Sequence, residues 1–315
     1  MATNWPALDF AAEHPVYDSV HAFLQVVGKL PTRALPWCNH SWHLAMPVTP
    51  RGFRTYPVVS EAGEAELLFD CLASRVVLTT SQGHEASMAL IGQSVAAFHA
   101  ELSDMLTRAG IATSIDGRPN EVEEAIPFAQ DDAGRAWDGD IVRLLHRAFS
   151  DAARVLYRFR TGFVGKSSPV HLFWGSFDLA MTRFSGREAS LHPGGFPNLP
   201  DTVTREAYSH EVASFGFWPG GGAIEEAAFY AYGYPTPGAL GEAKVEPGEA
   251  FWHGDLGEFI LPYAAVRAAA DPDAFLMRFF ESTYAAIADR AGWSRDTLDI
   301  PIGEFGRPYD VARRR

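Results

Sequence analysis

The sequence predicts an α+β fold built from two related halves, each a helix, a set of antiparallel strands and a closing helix, related by a pseudo-two-fold axis. Four segments carry apolar residues at helical spacing, and short strand-like runs bounded by turn signals fill the stretches between them. Two local matches recur in the same order. Trp42-His43-Leu44-Ala45-Met46 aligns with Phe177-Asp178-Leu179-Ala180-Met181, and residues 98–111 align with 280–293 without a gap.

The first helix is expected over 16–30, where Val20, Phe23, Leu24 and Val27 share a face and Gly28 marks the end. Strand-like runs follow at 40–48, 52–59, 65–69, 76–80 and 85–90. A second helix spans 95–109, with Ser94 as N-cap and Gly110 as its stop. A polar, acidic segment without periodicity follows and closes over 131–140, which reads as a linker between halves 1–130 and 141–300; residues 301–315 form a tail. The second half repeats the order: a helix over 141–163, one long strand over 170–184, strands at 208–217, 229–234 and 258–261, and a closing helix over 274–291.

Apolar residues make up 47% of the 315 and charged residues 21%, which places the chain among globular proteins. The formal net charge is −13, a sign that repels phosphate backbones and argues against nucleic acid as a partner. Two cysteines, Cys38 and Cys71, form no framework, no signal peptide is visible at the start, and no apolar run is long enough for a bilayer. A cytoplasmic protein with no membrane partner is the expectation. Familiar catalytic motifs are missing. Residues 162–167 imitate a phosphate loop but lie after a helix and before a strand, Gly220-Gly221-Gly222 lacks dinucleotide spacing, and neither G-x-S-x-G nor H-E-x-x-H occurs.

Several stretches are distinctive: Asn39-His40-Ser41-Trp42-His43, the segment 168–187 (Ser-Pro-Val-His-Leu-Phe-Trp-Gly-Ser-Phe-Asp-Leu-Ala-Met-Thr-Arg-Phe-Ser-Gly-Arg), and 205–211 (Arg-Glu-Ala-Tyr-Ser-His-Glu) running on to Trp218-Pro-Gly-Gly-Gly. With Phe229-Tyr-Ala-Tyr and Leu256-Gly-Glu-Phe, they resemble a bacterial family of unknown function across nearly the whole chain, from Trp5 to about Leu298. Ser41 departs from that pattern, where an aromatic is expected. The resemblance implies no activity, so function is argued from the residues.

An otherwise apolar strand carrying His171, Asp178 and Arg183 needs partners for those groups, because a lone buried charge costs several kcal/mol. An ion pair within the fold answers that need as well as a ligand does. Strand parity puts Asp178 with Trp174 and Ser176, and the duplication makes His43 its counterpart. A bulge at Gly175 is needed to bring His171 to the same face. His210 is the strongest residue of the third stretch. A divalent metal (zinc, iron or manganese) suits His43, His171, Asp178 and His210, with Glu211 or Arg183 as base or anion clamp. Trp174, Ser176, Tyr230 and Tyr232 are expected to wall the ligand. Two readings stand: an enzyme acting on a small molecule, with or without that metal, and a binding protein whose aromatic pocket uses the same polar groups for hydrogen bonds alone.

Overall fold

The computed structural model describes residues 5–60, 63–111 and 115–310, so the terminal Arg313-Arg314-Arg315 lie outside the described residues. Helix α1 (Phe10–Ala34) begins at Asp9, whose carboxylate accepts from the Ala12 N–H, and buries one face from Val16 to Leu30. The first sheet follows as β1 (Val48–Thr49), β2 (Gly52–Arg54), β3 (Val58–Ser60), β4 (Gly63–Asp70), β5 (Arg75–Thr80) and β6 (Glu85–Ala89). It is antiparallel throughout, in the order β1-β2-β4-β5-β6 with β3 also on β4. Helix α2 (Val95–Arg108) closes it, capped by Ser94 as expected.

Helix α3 (Gly139–Arg160) opens the second half, capped by Asp138. The second sheet holds β7 (His171–Phe173), β8 (Asp178–Glu188), β9 (His210–Trp218), β10 (Ala228–Tyr234), β11 (Phe251–His253) and β12 (Glu258–Pro262), with α4 (Asp201–Ala207) between β8 and β9. Its order is β11-β12-β10-β9-β8-β7, again antiparallel. Helices α5 (Tyr263–Ala268), α6 (Pro272–Arg290) and the short α7 (Arg295–Leu298) complete the chain. The α+β class is as the pattern predicts. Among the described residues, no helix is long and apolar enough to cross a membrane.

One hydrophobic core takes in side chains of both halves. Helix α3 is the shared element: it packs on β1 of the first sheet, on β8 and β9 of the second, and on α1 and α6. The acidic stretch between the halves is threaded along this body; the Arg135 N–H donates to the Gly92 carbonyl, and Trp137 packs on Phe23 and Phe69. Leu179, Met181 and Arg183 of β8 and Ala213, Phe215 and Phe217 of β9 are buried on the sheet's helix-covered side. Asp178, Ala180 and Thr182 alternate to the other face, opposite Ser214 and Gly216 of β9.

Two expected strands are corrected. Residues 39–44 form a 3-10 turn in which His40 and Ser41 take the left-handed conformation (φ 58° and 57°). Of the expected strand 40–48, only Met46, which bridges Leu172, and Val48, which opens β1, are paired. Local polar contacts win there: the Glu206 carboxylate accepts from the His40 N–H and the His40 ring donates to the Ala207 carbonyl. The expected long strand over 170–184 is a hairpin instead, β7 and β8 joined by residues 174–177 with Phe177 at φ 63°. Because 42–46 is a turn and 177–181 enters a strand, the structure gives the two segments different roles, and the pseudo-two-fold relation is not shown.

The hairpin turn is held from behind by α1. His21 and Gln25 both reach the Gly175 carbonyl, at 2.9 and 3.0 Å, and the His21 ring stacks on Phe177. Trp174 lies flat against Gly28, where any Cβ would fall inside its indole. Helix propensity alone favours Gly28→Ala by about 1 kcal/mol. The overlap with a wedged ring reverses that sign, and a net loss of about 1–3 kcal/mol is expected. Urea denaturation measures it; a midpoint at or above wild type would show that Trp174 is not wedged.

Candidate functional site

A cavity of 740 Å³ lies on the open face of the second sheet. Its floor is a set of cross-strand rows. Thr182, Ser214 and Tyr232 form one, and Ala180, Gly216, Tyr230 and Ile260 the next. The 3-10 turn and α4 close one end, and the loops carrying Asn120-Glu121 and His192–Leu199 form the roof. Trp42, Phe173, Trp174, Phe184, Phe196 and Trp218 supply ring walls.

Gly216 sets the central contact. A Cβ there would overlap the Tyr230 phenol, so its absence lets Tyr230 lie across β9. The hydroxyl then donates to Asp178 Oδ2 on β8, in a short hydrogen bond. Ser176 Oγ donates to the other oxygen at 2.6 Å. Tyr208 and Tyr232 pair through their hydroxyls at 2.8 Å, and Ser214 bonds Thr182 at 3.0 Å.

Four carboxylates line the cavity, Glu121, Asp178, Asp255 and Glu258, and no lysine or arginine does among the described residues. Burial, and then the Asp178 charge, push Glu121 and Glu258 up to about 7. Asp178 is raised by burial, against the pull of its Ser176 and Tyr230 hydrogen bonds. Glu121 has φ 60°, and its N–H donates to the Pro197 carbonyl of the roof loop.

At the other end His40 donates from Nδ1 to the Ala207 carbonyl, which leaves Nε2 to accept from Lys166 Nζ at 2.8 Å. Lys166 itself lies over the Trp42 and Phe184 rings. Ser41 Oγ and Thr204 Oγ1 are buried there without a hydrogen-bond partner.

Of the residues singled out in the sequence, Trp174, Ser176, Asp178, Tyr230 and Tyr232 line this cavity together. The hairpin puts His171 opposite Ala180, hence on the Asp178 face, without the bulge parity required. His171 is nonetheless sealed in. Its Nδ1 bonds the Pro169 carbonyl, its ring sits edge-on to Phe173, and burial pushes it down to about 4. His43 is held by the Cys38 N–H and packs on Trp37, away from Asp178, and His210 bonds Ser209; neither lines the cavity. Among the described residues no three His, Cys, Asp or Glu side chains gather as a metal group, so the four expected ligands do not converge.

Glu211 points away from the cavity and pairs with Arg187. Arg183 is on the helix side of the sheet, its guanidinium 3.7 Å from the Phe159 ring centre and 4.3 Å from that of Tyr284, donating to the Phe159 carbonyl. Neither can act as base or clamp for this cavity. Glu121, Glu258, Tyr208 and His40 were missed. Glu258, His40 and Tyr208 lay in the distinctive stretches 256–259, 39–43 and 205–211, whereas Glu121 had no signal.

A larger groove of 1230 Å³ runs between α3, α6 and residues 303–307, but Arg154, its central charge, is already paired with Asp151 and Asp273. No lysine or arginine among the described residues pairs with the carboxylates of the 740 Å³ cavity, which makes it the candidate site.

Two outcomes are expected. Arg183→Met removes a guanidinium that several rings and a carbonyl have desolvated; stability should change by no more than about 3 kcal/mol, with the cavity's ligand affinity unaltered. A titration showing lost affinity in a fully folded variant would return Arg183 to the site. The second outcome concerns pH. The folded protein holds Glu121 and Glu258 protons that an unfolded chain, with ordinary carboxylates, gives up near pH 4.5. Between about 4.5 and 7 the folded state therefore binds more protons, and its stability falls as pH rises. Glu121→Gln and Glu258→Gln should each flatten that decline and raise the melting temperature at pH 8; an unchanged slope in both would show that these groups titrate normally.

No curated protein and no solved structure matches the chain. A family model described as "Family of unknown function (DUF5996)" matches residues 5–300. That match covers both sheets, all of the cavity and every segment on which the resemblance rested, and the chain belongs to this family of unknown function.

Proposed function

We propose that the cavity binds a small organic cation, an amine whose ammonium sits among Asp178, Glu121 and Glu258. The observation that carries this reading is the lining itself: four carboxylates, a wall of rings and, among the described residues, no lysine or arginine to neutralise them. Half-buried carboxylates so placed, as Glu121, Asp178 and Glu258 are, either take up protons or accept a cation, and aromatic faces favour the cation further. The volume suits a ligand of drug-like size.

Catalysis on the same ligand is the second reading. It is favoured by Glu121 and Glu258 standing near 7, where a carboxyl both gives and takes a proton at working pH. Glu121 and Glu258 would serve as acid and base, with the Tyr230–Asp178 pair fixing the ammonium.

Isothermal titration with benzylamine, and with neutral benzyl alcohol as control, tests the cation. Ligand and protons compete for the same carboxylates, so amine affinity should rise by about tenfold from pH 6 to pH 8, with protons released on binding. Asp178→Asn should lower it by a further factor of about ten or more. Equal affinity for amine and alcohol would rule the reading out. Turnover of an amine that disappears in Glu121→Gln, while binding persists, would distinguish the enzyme from the binding protein.

A further inference from the structure

The cavity is polarised along β8. Asp178, with Glu121 and Glu258 near it, stands at one end of the strand's open face, and Phe184 stands at the other. Six residues of strand separate them, about 20 Å. Beyond the Thr182–Ser214–Tyr232 row the lining changes character. Phe184 pairs with Val212 across the ladder, the 3-10 turn brings Leu44 beside His40 and Ser41, and α4, which packs on that turn, brings Val203 and Ala207 beside Thr204, so apolar side chains make up most of this end. Lys166, near this end but not lining it, lies over the Trp42 and Phe184 rings and donates to His40.

Resting on the cation reading, we propose that the ligand is an amphiphilic monoamine: an ammonium head at Asp178 and an unbranched apolar tail laid along the floor to the Phe184–Val212–Val203 end. A compact amine would leave that end wet, and apolar walls of this kind gain free energy only when apolar ligand surface covers them. A ligand with a second ammonium would have to bury it among Leu44, Val203 and Phe184, and beside Lys166; among the described residues no carboxylate lines that end of the cavity, and nearby Glu206 already accepts from the His40 N–H. The polar heads of the floor, Thr182 and Ser214, satisfy each other and so do not demand hydrogen bonds from the tail.

Titration calorimetry of the whole chain with butyl-, hexyl-, octyl- and decylamine, all below their micellar concentrations, tests the tail. Affinity should climb about threefold to fourfold per methylene and then level off when the chain reaches the end wall. 1,8-Diaminooctane should bind at least tenfold more weakly than octylamine. Val203→Gln, on exposed-side helix α4, should flatten the climb while leaving butylamine affinity unchanged; Val212→Thr, an isosteric change on β9, should do the same should the first variant fold poorly. A flat response with chain length, or equal affinity for the diamine, overturns the amphiphile and leaves the cation reading intact. Failure of every amine to bind overturns both.

Discussion

A tyrosine reaches an aspartate two strands away only when nothing stands on the strand between them. Gly216 meets that condition in the middle of β9, where a glycine otherwise weakens a strand. Its neighbours Phe215 and Phe217 compensate by burying fully on the helix side. The resulting Tyr230–Asp178 contact fixes one carboxylate in the cavity floor, and its charge adds to burial, the larger cause, in raising Glu121 and Glu258. One missing side chain thus sets where that charge sits.

Asp178 depends in turn on the hairpin before it. Residues 174–177 carry Gly and Ser at the centre of the turn but a bulky ring at each end, with Phe177 in a conformation that disfavours a side chain. Helix α1 compensates from 150 residues away: His21 and Gln25 converge on the Gly175 carbonyl, and buried Lys29 reaches the Asn120 side chain within 5.5 Å of the Trp174 ring. Gln25 also exchanges hydrogen bonds with the Asn120 backbone, so one helix face positions both the turn and the segment bearing Glu121.

These dependences explain what the sequence could show. Helices α1, α2, α3 and α6 and most strands were legible because periodicity and caps are local properties. The hairpin at 174–177 was not, since its apolar residues continue the strand pattern and its clamp lies far off in sequence. Asp178, Trp174, Tyr230 and Tyr232 could be read because charge or aromatic alternation within a strand is visible. Arg183 and Asp178 look alike in sequence, each a charge in an apolar strand, and only their opposite parity separates a ring-sheathed structural cation from a cavity carboxylate. Glu121 could not be told from Glu123 and Glu124 in an aperiodic acidic segment. His43 fell out because 39–44 turns rather than extends.

Glu121 also lies where two loops meet. Beyond its own bond to the Pro197 carbonyl, Asn120 Nδ2 donates to the Asn198 carbonyl and Asn198 Nδ2 donates back to that of Val122. The roof segment is further tied to α4, where the Gly195 N–H meets the Asp201 carboxylate and Arg205 meets the His192 carbonyl. A continuous path of covalent chain and hydrogen bonds thus runs from the Glu121 carboxylate through the roof to α4, which carries Val203 at the cavity's far end, and the sheet beneath joins the same two ends.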